Sequence, residues 1–214
     1  MHGDARVCFG GTLEASCVEP FLEKGELRWR PATEKSHDPE VIRSSDKPFA
    51  SEGGIRLLEG NLGRSLIKSS AVAPERQAVT APAVVISHQD ELKMRFERGE
   101  LDRDCVIVAR FQGPSANGMP ELHQLMPTLG VLQDRGYTVA LVTDGRLSGA
   151  SGKVPAAIHV TPEAASGGAI GRIQDGDIIS LSVASGELAV RVDDATLMAR
   201  PHPETCLLYT SPSP

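Results

Sequence analysis

Between Asp144 and Lys153 the chain reads DGRLSGASGK, ten residues that hold three glycines, two serines and charges of both signs. Glycine allows the backbone to take positive φ and approach a ligand closely, so this composition suits a site loop. Arg146, Lys153 and, further on, His159 are candidates to meet a phosphate or carboxylate, with a structural role equally open for each. Ser148 and Ser151 are alcohols, far too weakly acidic to act as bases unless positive charge and loop amides hold an alkoxide. Three common motifs fail on spacing. A P-loop ending at Gly152-Lys153 needs glycine at 147 and Ser or Thr at 154, where the chain has Leu147 and Val154. Neither serine sits in GxSxG, and Gly167-Gly168-Ala169-Ile170-Gly171 is not GxGxxG.

The elements around this loop are legible from pattern. Thr138–Thr143 (TVALVT) is β-branched and apolar, which predicts a buried strand leading into the loop. Ala83–Ile86, a helix over Gln89–Arg98 with Leu92 and Phe96 on one face, and Cys105–Arg110 predict a strand–helix–strand crossover. A second Gly-rich loop, GPSANGMPELH from Gly113 to His123, leads into a helix expected to start at Pro120 and run to Asp134. On that reading Glu121 is a helix-capping carboxylate. One helix and one strand separate Glu121 from Ser148, and such a crossover can bring both loops to one sheet edge.

Elsewhere, Gly53–Lys68 reads as strand, Gly-punctuated turn and strand, and Val154–Val160 as an extended run whose pairing Pro155 limits. Thr161–Ala165 has the pattern of a short helix start. A turn at Gln174–Asp177 feeds a hairpin of Ile178–Val183 and Glu187–Val192. Residues 1–50 are polar and Pro-broken, with one short strand expected around Leu27–Arg30 and poor order before Glu19. Pattern alone supports an α/β domain of about seven strands and three helices.

The 214 residues are 40% hydrophobic but only 4% aromatic, enough for one core built on Val, Ile, Leu and Ala. A net charge of −6 argues against a nucleic-acid surface. No apolar run reaches the roughly 20 residues of a membrane span, and Met1-His2-Gly3-Asp4 does not open a signal peptide. A cytoplasmic location is the expectation. Cys8, Cys17, Cys105 and Cys206 form no CxxC pair, so neither a zinc site nor a disulfide framework is suggested.

In chain order, GPSANGMPELH, TDGRLSGASGK and AAIHVTPEA together resemble the carboxy-terminal domain of the iron–sulfur sugar-acid and dihydroxy-acid dehydratases, from about Glu19 to about Pro201. The resemblance implies a mixed, barrel-like sheet of short strands with flanking helices over 51–201, an interdomain linker over 1–50, and a tail over 202–214 that reads like translated sequencing-adapter sequence and is set aside. It implies a fragment, because the cysteines that hold the family's iron–sulfur cluster belong to an amino-terminal domain absent here. It also implies a homodimer for the full enzyme, and an isolated fragment without activity.

The chemistry implied is dehydration of a sugar acid, in which a base takes the proton beside a carboxylate and hydroxide leaves the next carbon. By resemblance Ser148 is the base and Glu121, in GMPE, a ligand of the active-site Mg²⁺. Ser151 is a weaker hydrogen-bonding candidate. Lys68 and Arg64 lie in a GNLG…K segment that faces the family's active site, where they meet an anionic substrate or else make surface ion pairs. The wording SGASGKVPAAIHVTPEA is most similar to members acting on 6-phosphogluconate, which implies a lyase giving 2-dehydro-3-deoxy-6-phosphogluconate in the Entner–Doudoroff pathway. The alternatives are a dihydroxy-acid dehydratase of branched-chain amino-acid synthesis and a non-catalytic docking domain.

Overall fold

A computed structural model describes residues 2–33, 35–148 and 152–203. The chain divides into two compact units, Met1–Glu52 and Gly53–Pro214. In the first, β1 (Val18–Glu23) and β2 (Glu26–Pro31) form an antiparallel hairpin in which Val18 faces Pro31. The sequence pattern anticipated β2 but not its partner, whose Pro20 and flanking glutamates mask the strand signal. Arg30 meets Glu19 at 2.6 Å and Arg28 meets Glu23 at 2.7 Å across the hairpin.

The second unit is a closed barrel of eight strands. These are β3 (Ile55–Gly60), β4 (Gly63–Lys68), β5 (Ala78–Ile86), β6 (Cys105–Ala109), β7 (Val139–Thr143), β8 (Ala156–Thr161), β9 (Ile178–Ser182) and β10 (Glu187–Val190). Their order around the barrel is β10-β3-β4-β8-β7-β6-β5-β9. β5 to β8 run parallel through β6 and β7, and antiparallel pairs, with one parallel β10–β3 contact, complete the ring. Four helices accompany it: α1 (Gln89–Glu97), the one-turn α2 (Pro114–Asn117), α3 (Leu125–Asp134) and α4 (Asp194–Ala199).

Alternation along the central strands divides the apolar residues into two cores. Val106, Val108, Ala140 and Val142 point inward, with Ala81, Ala83 and Ala157, and small side chains suit an eight-stranded interior just wide enough to be filled. Cys105, Ile107, Val139 and Leu141 point outward onto α1 and α3, meeting Leu92, Leu125, Leu129 and Leu132. This is why β6 and β7 are buried at every position and read as continuous apolar runs. α1 starts where the sequence indicates, fixed by Glu91 Oε1 accepting from the His88 amide at 2.9 Å.

Two expectations need correction. β5 begins at Ala78 rather than Ala83, since its first half pairs with β9 and its second with β6, so Pro82 lies inside a strand. More important for the site, no helix begins at Pro120. Gly118 ends α2 in the left-handed region, Met119 follows at φ 54°, and Glu121 makes an extended bridge to Arg146, delaying α3 to Leu125. Glu121 is therefore not a helix cap.

Cys105 is fully buried, and burial pushes its thiol up to about 11. Cys8 and Cys17 are exposed. Alkylation with iodoacetamide at pH 8, mapped by peptide mass spectrometry, is expected to label Cys8 and Cys17 and leave Cys105 unmodified until urea unfolds the chain.

Candidate active site

The parallel strands β6, β7 and β8 deliver three loops at their carboxy-terminal ends, where ligands of parallel sheets collect. The first loop carries Phe111 to Glu121, the second Asp144 to Ser148, and the third Pro162 to Ser166. The first two meet directly. Glu121 and Arg146 form a single parallel bridge, Arg146 Nε donates to the Met119 carbonyl at 2.8 Å, and the Ser148 amide donates to Glu121 Oε1 at 2.9 Å. Gln89 Nε2, from the first turn of α1, donates to the Glu121 carbonyl at 3.3 Å. Glu121 and Ser148 thus stand together with the Glu121 backbone pinned on two sides.

Asp144 closes the junction from beneath. It is 2% exposed, and its carboxylate accepts from the amides of Gln112 at 2.9 Å, Phe111 at 3.2 Å and Ala164 at 2.9 Å. Burial pushes its carboxyl above the ordinary range, opposed by those three amides, which favour the ionised form. Glu163 accepts from the Ser115 amide at 3.1 Å, and a Cβ on Gly113 would lie 2.1 Å from Glu163 Oε2, so glycine is required there. Sequence reasoning singled out neither carboxylate. The signals were an Asp directly after a buried strand and a Glu after the Thr161-Pro162 break, both short of specific without the neighbouring amides.

Backbone strain gathers at the same place. Among the described residues four non-glycines have positive φ, and Phe111, Met119 and His159 are three of them. His159 sits at the bulge where β8 shifts register against β4, and its amide donates to the Gly145 carbonyl at 2.9 Å. The bulge re-aims its imidazole out of the barrel, where it lines two cavities. One, of about 300 Å³, is bounded by Pro114, Met119, Asp144, Thr161 and Glu163. The other, of about 270 Å³, lies under the Ser148 loop and is lined by Lys68, Ser148 and the apolar Ile55, Leu66, Leu147 and Ile158.

The structure therefore brings Lys68, Ser148 and His159 to one cavity and joins Glu121 to Ser148. It does not bring Lys153 there: its ammonium reaches Asp134 at 2.8 Å on the α3 side and lines neither cavity. Arg146 also lines neither cavity, and its Nε donates to the Met119 carbonyl. Ser151 lies outside the described residues, as does the tail from residue 204. Because the Lys153–Asp134 pair is more than half exposed on both sides, Lys153→Ala is expected to cost under about 1 kcal/mol in urea denaturation.

Glu121 supplies one hard carboxylate, and no group of three His, Cys, Asp or Glu able to hold a metal exists among the described residues. One carboxylate completed by substrate oxygens and water fits the way Mg²⁺ is often bound. Among the described cysteines Cys105 is buried in the core and Cys8 and Cys17 are exposed, so these three do not supply the ligand set of an iron–sulfur cluster. No described helix is long and apolar enough to cross a membrane.

A family profile described as dihydroxy-acid/6-phosphogluconate dehydratase, C-terminal, matches residues 40–210 and so runs on past Pro201. The chain is 58% identical over 200 residues to a phosphogluconate dehydratase of Pseudomonas aeruginosa, covering 94% of this chain and 33% of that protein. To a phosphogluconate dehydratase of Escherichia coli it is 56% identical over 203 residues, covering 94% and 34%. To a dihydroxy-acid dehydratase of Acetivibrio thermocellus it is 38% identical over 193 residues, covering 88% and 33%. The chain spans about a third of the length of these curated relatives.

Proposed function

The chain belongs to the dihydroxy-acid/6-phosphogluconate dehydratase family, and from that premise we propose that it is the carboxy-terminal part of a hydro-lyase converting 6-phospho-D-gluconate to 2-dehydro-3-deoxy-6-phosphogluconate and water. The observation that carries the proposal is the contact of Glu121 with Ser148, which lines a cavity together with Lys68 and His159. The higher identity to the phosphogluconate dehydratases than to the dihydroxy-acid dehydratase supports the choice of substrate.

In this reading Ser148 Oγ takes the proton from C2, which the neighbouring carboxylate group of the substrate makes reachable. The electron pair left behind forms the C2–C3 double bond as hydroxide departs from C3, and the proton on Ser148 converts that hydroxide to water. The enol then shifts its proton to C3, giving the 2-keto product. Lys68 supplies positive charge beside the serine, and Lys68 with the His159 ring holds the anionic substrate. Glu121 would be this chain's ligand to Mg²⁺, which when bound neutralises charge on the substrate carboxylate and adjacent hydroxyl. The family's iron–sulfur cluster would be held by the amino-terminal domain.

The amino-terminal domain would dock against the wall of β3 and β4, which no described helix covers. Leu57 faces Leu66 across this wall, and Ile55, Leu57 and Leu66 are 65%, 52% and 39% exposed. A homodimer, a place in the Entner–Doudoroff pathway and a cytoplasmic location complete the proposal, the last because phosphorylated sugars are held inside cells by their charge.

The test joins the chain to its native upstream sequence, reconstitutes the cluster anaerobically with Mg²⁺, and compares substrates. 6-Phosphogluconate is expected to turn over with kcat/KM at least roughly 100-fold above a dihydroxy acid lacking phosphate, and Lys68→Ala to raise its KM about tenfold. Preference for the dihydroxy acid would overturn the substrate assignment, and activity of the 214-residue chain alone would overturn the placement of the cluster.

A further inference from the structure

We propose that Asp144 is a positioning residue whose buried carboxylate, by gathering amides from the loops after β6 and β8, holds Ser148 against Glu121. The inference rests on the reading of Ser148 and Glu121 as the pair that acts on substrate. Asp144 is the first residue beyond β7, so whatever fixes it fixes the origin of the Ser148 loop.

Its bonds are unusual in destination. Oδ1 accepts from Gln112, and Oδ2 from Phe111 and Ala164, so one carboxylate joins three successive loops of the parallel sheet. A buried carboxylate is costly unless its oxygens are satisfied, and here backbone amides satisfy it, as in an anion-binding nest. Phe111 donates from φ 60°, a conformation an aromatic residue does not keep without being held.

The next residues transmit the constraint. Gly145 has no room for a Cβ, which would lie 2.7 Å from Gln112 Cβ, so the loop is pressed onto the first loop. The Gly145 amide donates to Thr143 Oγ1 at 2.9 Å, and its carbonyl accepts from His159. One residue further, Arg146 bridges Glu121, and two beyond that the Ser148 amide reaches the Glu121 carboxylate. From Asp144 to Ser148 the described bonds therefore run to the neighbouring loops, to His159 of β8, or to the end of β7 itself.

Amide hydrogen exchange, read by NMR on the 214-residue chain with and without Asp144→Asn, tests this directly. Asparagine presents one acceptor and one donor, so at least one amide loses its partner. The expected result is exchange faster by roughly tenfold or more at Phe111, Gln112 and Ala164 and also at Ser148, with Val106–Val108 and Ala140–Val142 unchanged. If the first three accelerate while Ser148 does not, the clamp is local and the proposal fails. If β6 and β7 accelerate equally, Asp144 serves the fold as a whole and the proposal fails again. Should the variant not fold, native-state exchange of the wild type at low denaturant replaces it: the four amides are expected to share one opening equilibrium, and separate openings overturn the idea. None of these readings depends on turnover, so a wrong substrate assignment leaves them untouched.

Discussion

Ser148→Ala in the reconstituted full-length enzyme is expected to lower kcat by about 10²–10⁴-fold while changing KM for 6-phosphogluconate by less than about threefold. Only the Oγ is removed. Its backbone amide on Glu121 Oε1 is a contact that alanine retains, so the link between the loop and the carboxylate is kept. Loss of turnover with binding kept therefore reports the hydroxyl's part in proton transfer. Glu121→Gln is the companion: its amide oxygen can still accept from the Ser148 amide, but it is a neutral and weaker ligand for a hard cation. A similar loss of kcat, together with a higher Mg²⁺ requirement, is expected for it. Steady-state kinetics across a Mg²⁺ titration separates the two variants, and full activity in Ser148→Ala would reduce that serine to a turn residue.

Gly63→Ala is expected to destabilise the barrel by about 3 kcal/mol or more in urea denaturation, among the largest effects of any single methyl group in this chain. Gly63 adopts φ 103°, beyond the region an alanine tolerates, and its new Cβ would lie 2.2 Å from the Thr161 carbonyl oxygen and 3.0 Å from the carbonyl carbon. The obstacle is backbone on both counts, so no rotamer change relieves it. Thr161 pairs with Arg64 at the bulge that carries His159, and the seam between β4 and β8 must open to admit the methyl. Gly136→Ala supplies the control. It shares a positive φ of 97° with no atom within 4 Å of the added Cβ, so it isolates conformational strain and is expected to cost only about 1 kcal/mol.

The β5–α1–β6 crossover and the β7 strand were legible because their signals are local. Buried parallel strands are continuous β-branched runs, and α1 carries its own cap and apolar stripe. Ser148 stood out as an alcohol among glycines and His159 as a candidate anion ligand, Glu121 and Lys68 came forward through the family resemblance, and the crossover spacing allowed the Glu121 and Ser148 loops to share one sheet edge, as they do. The extended path at Glu121, after the left-handed Met119, was not legible, because Pro120 ahead of a long apolar stretch looks like a helix start. What keeps it extended is the bridge to Arg146, which comes from a different loop.

The same physical reason sorts the remaining residues. Lys153 and Arg146 are anion-ligand candidates by type with a structural role equally open, and in the structure the Lys153 ammonium meets Asp134 and the Arg146 Nε the Met119 carbonyl, partners distant in sequence. Asn61 looked like a turn residue and is one, but its amide also ties the hairpin to β10 by accepting from Val190 and donating to its carbonyl, each at 2.9 Å. Asp144 was one residue of a loop until three amides from elsewhere in the chain converged on it. Residue type and local periodicity settle which groups are chemically able and which segments are strands or helices. Closure of the barrel settles which groups meet, because hydrogen-bond partners far apart in sequence are chosen by the strand order and leave no mark in the spacing of either one.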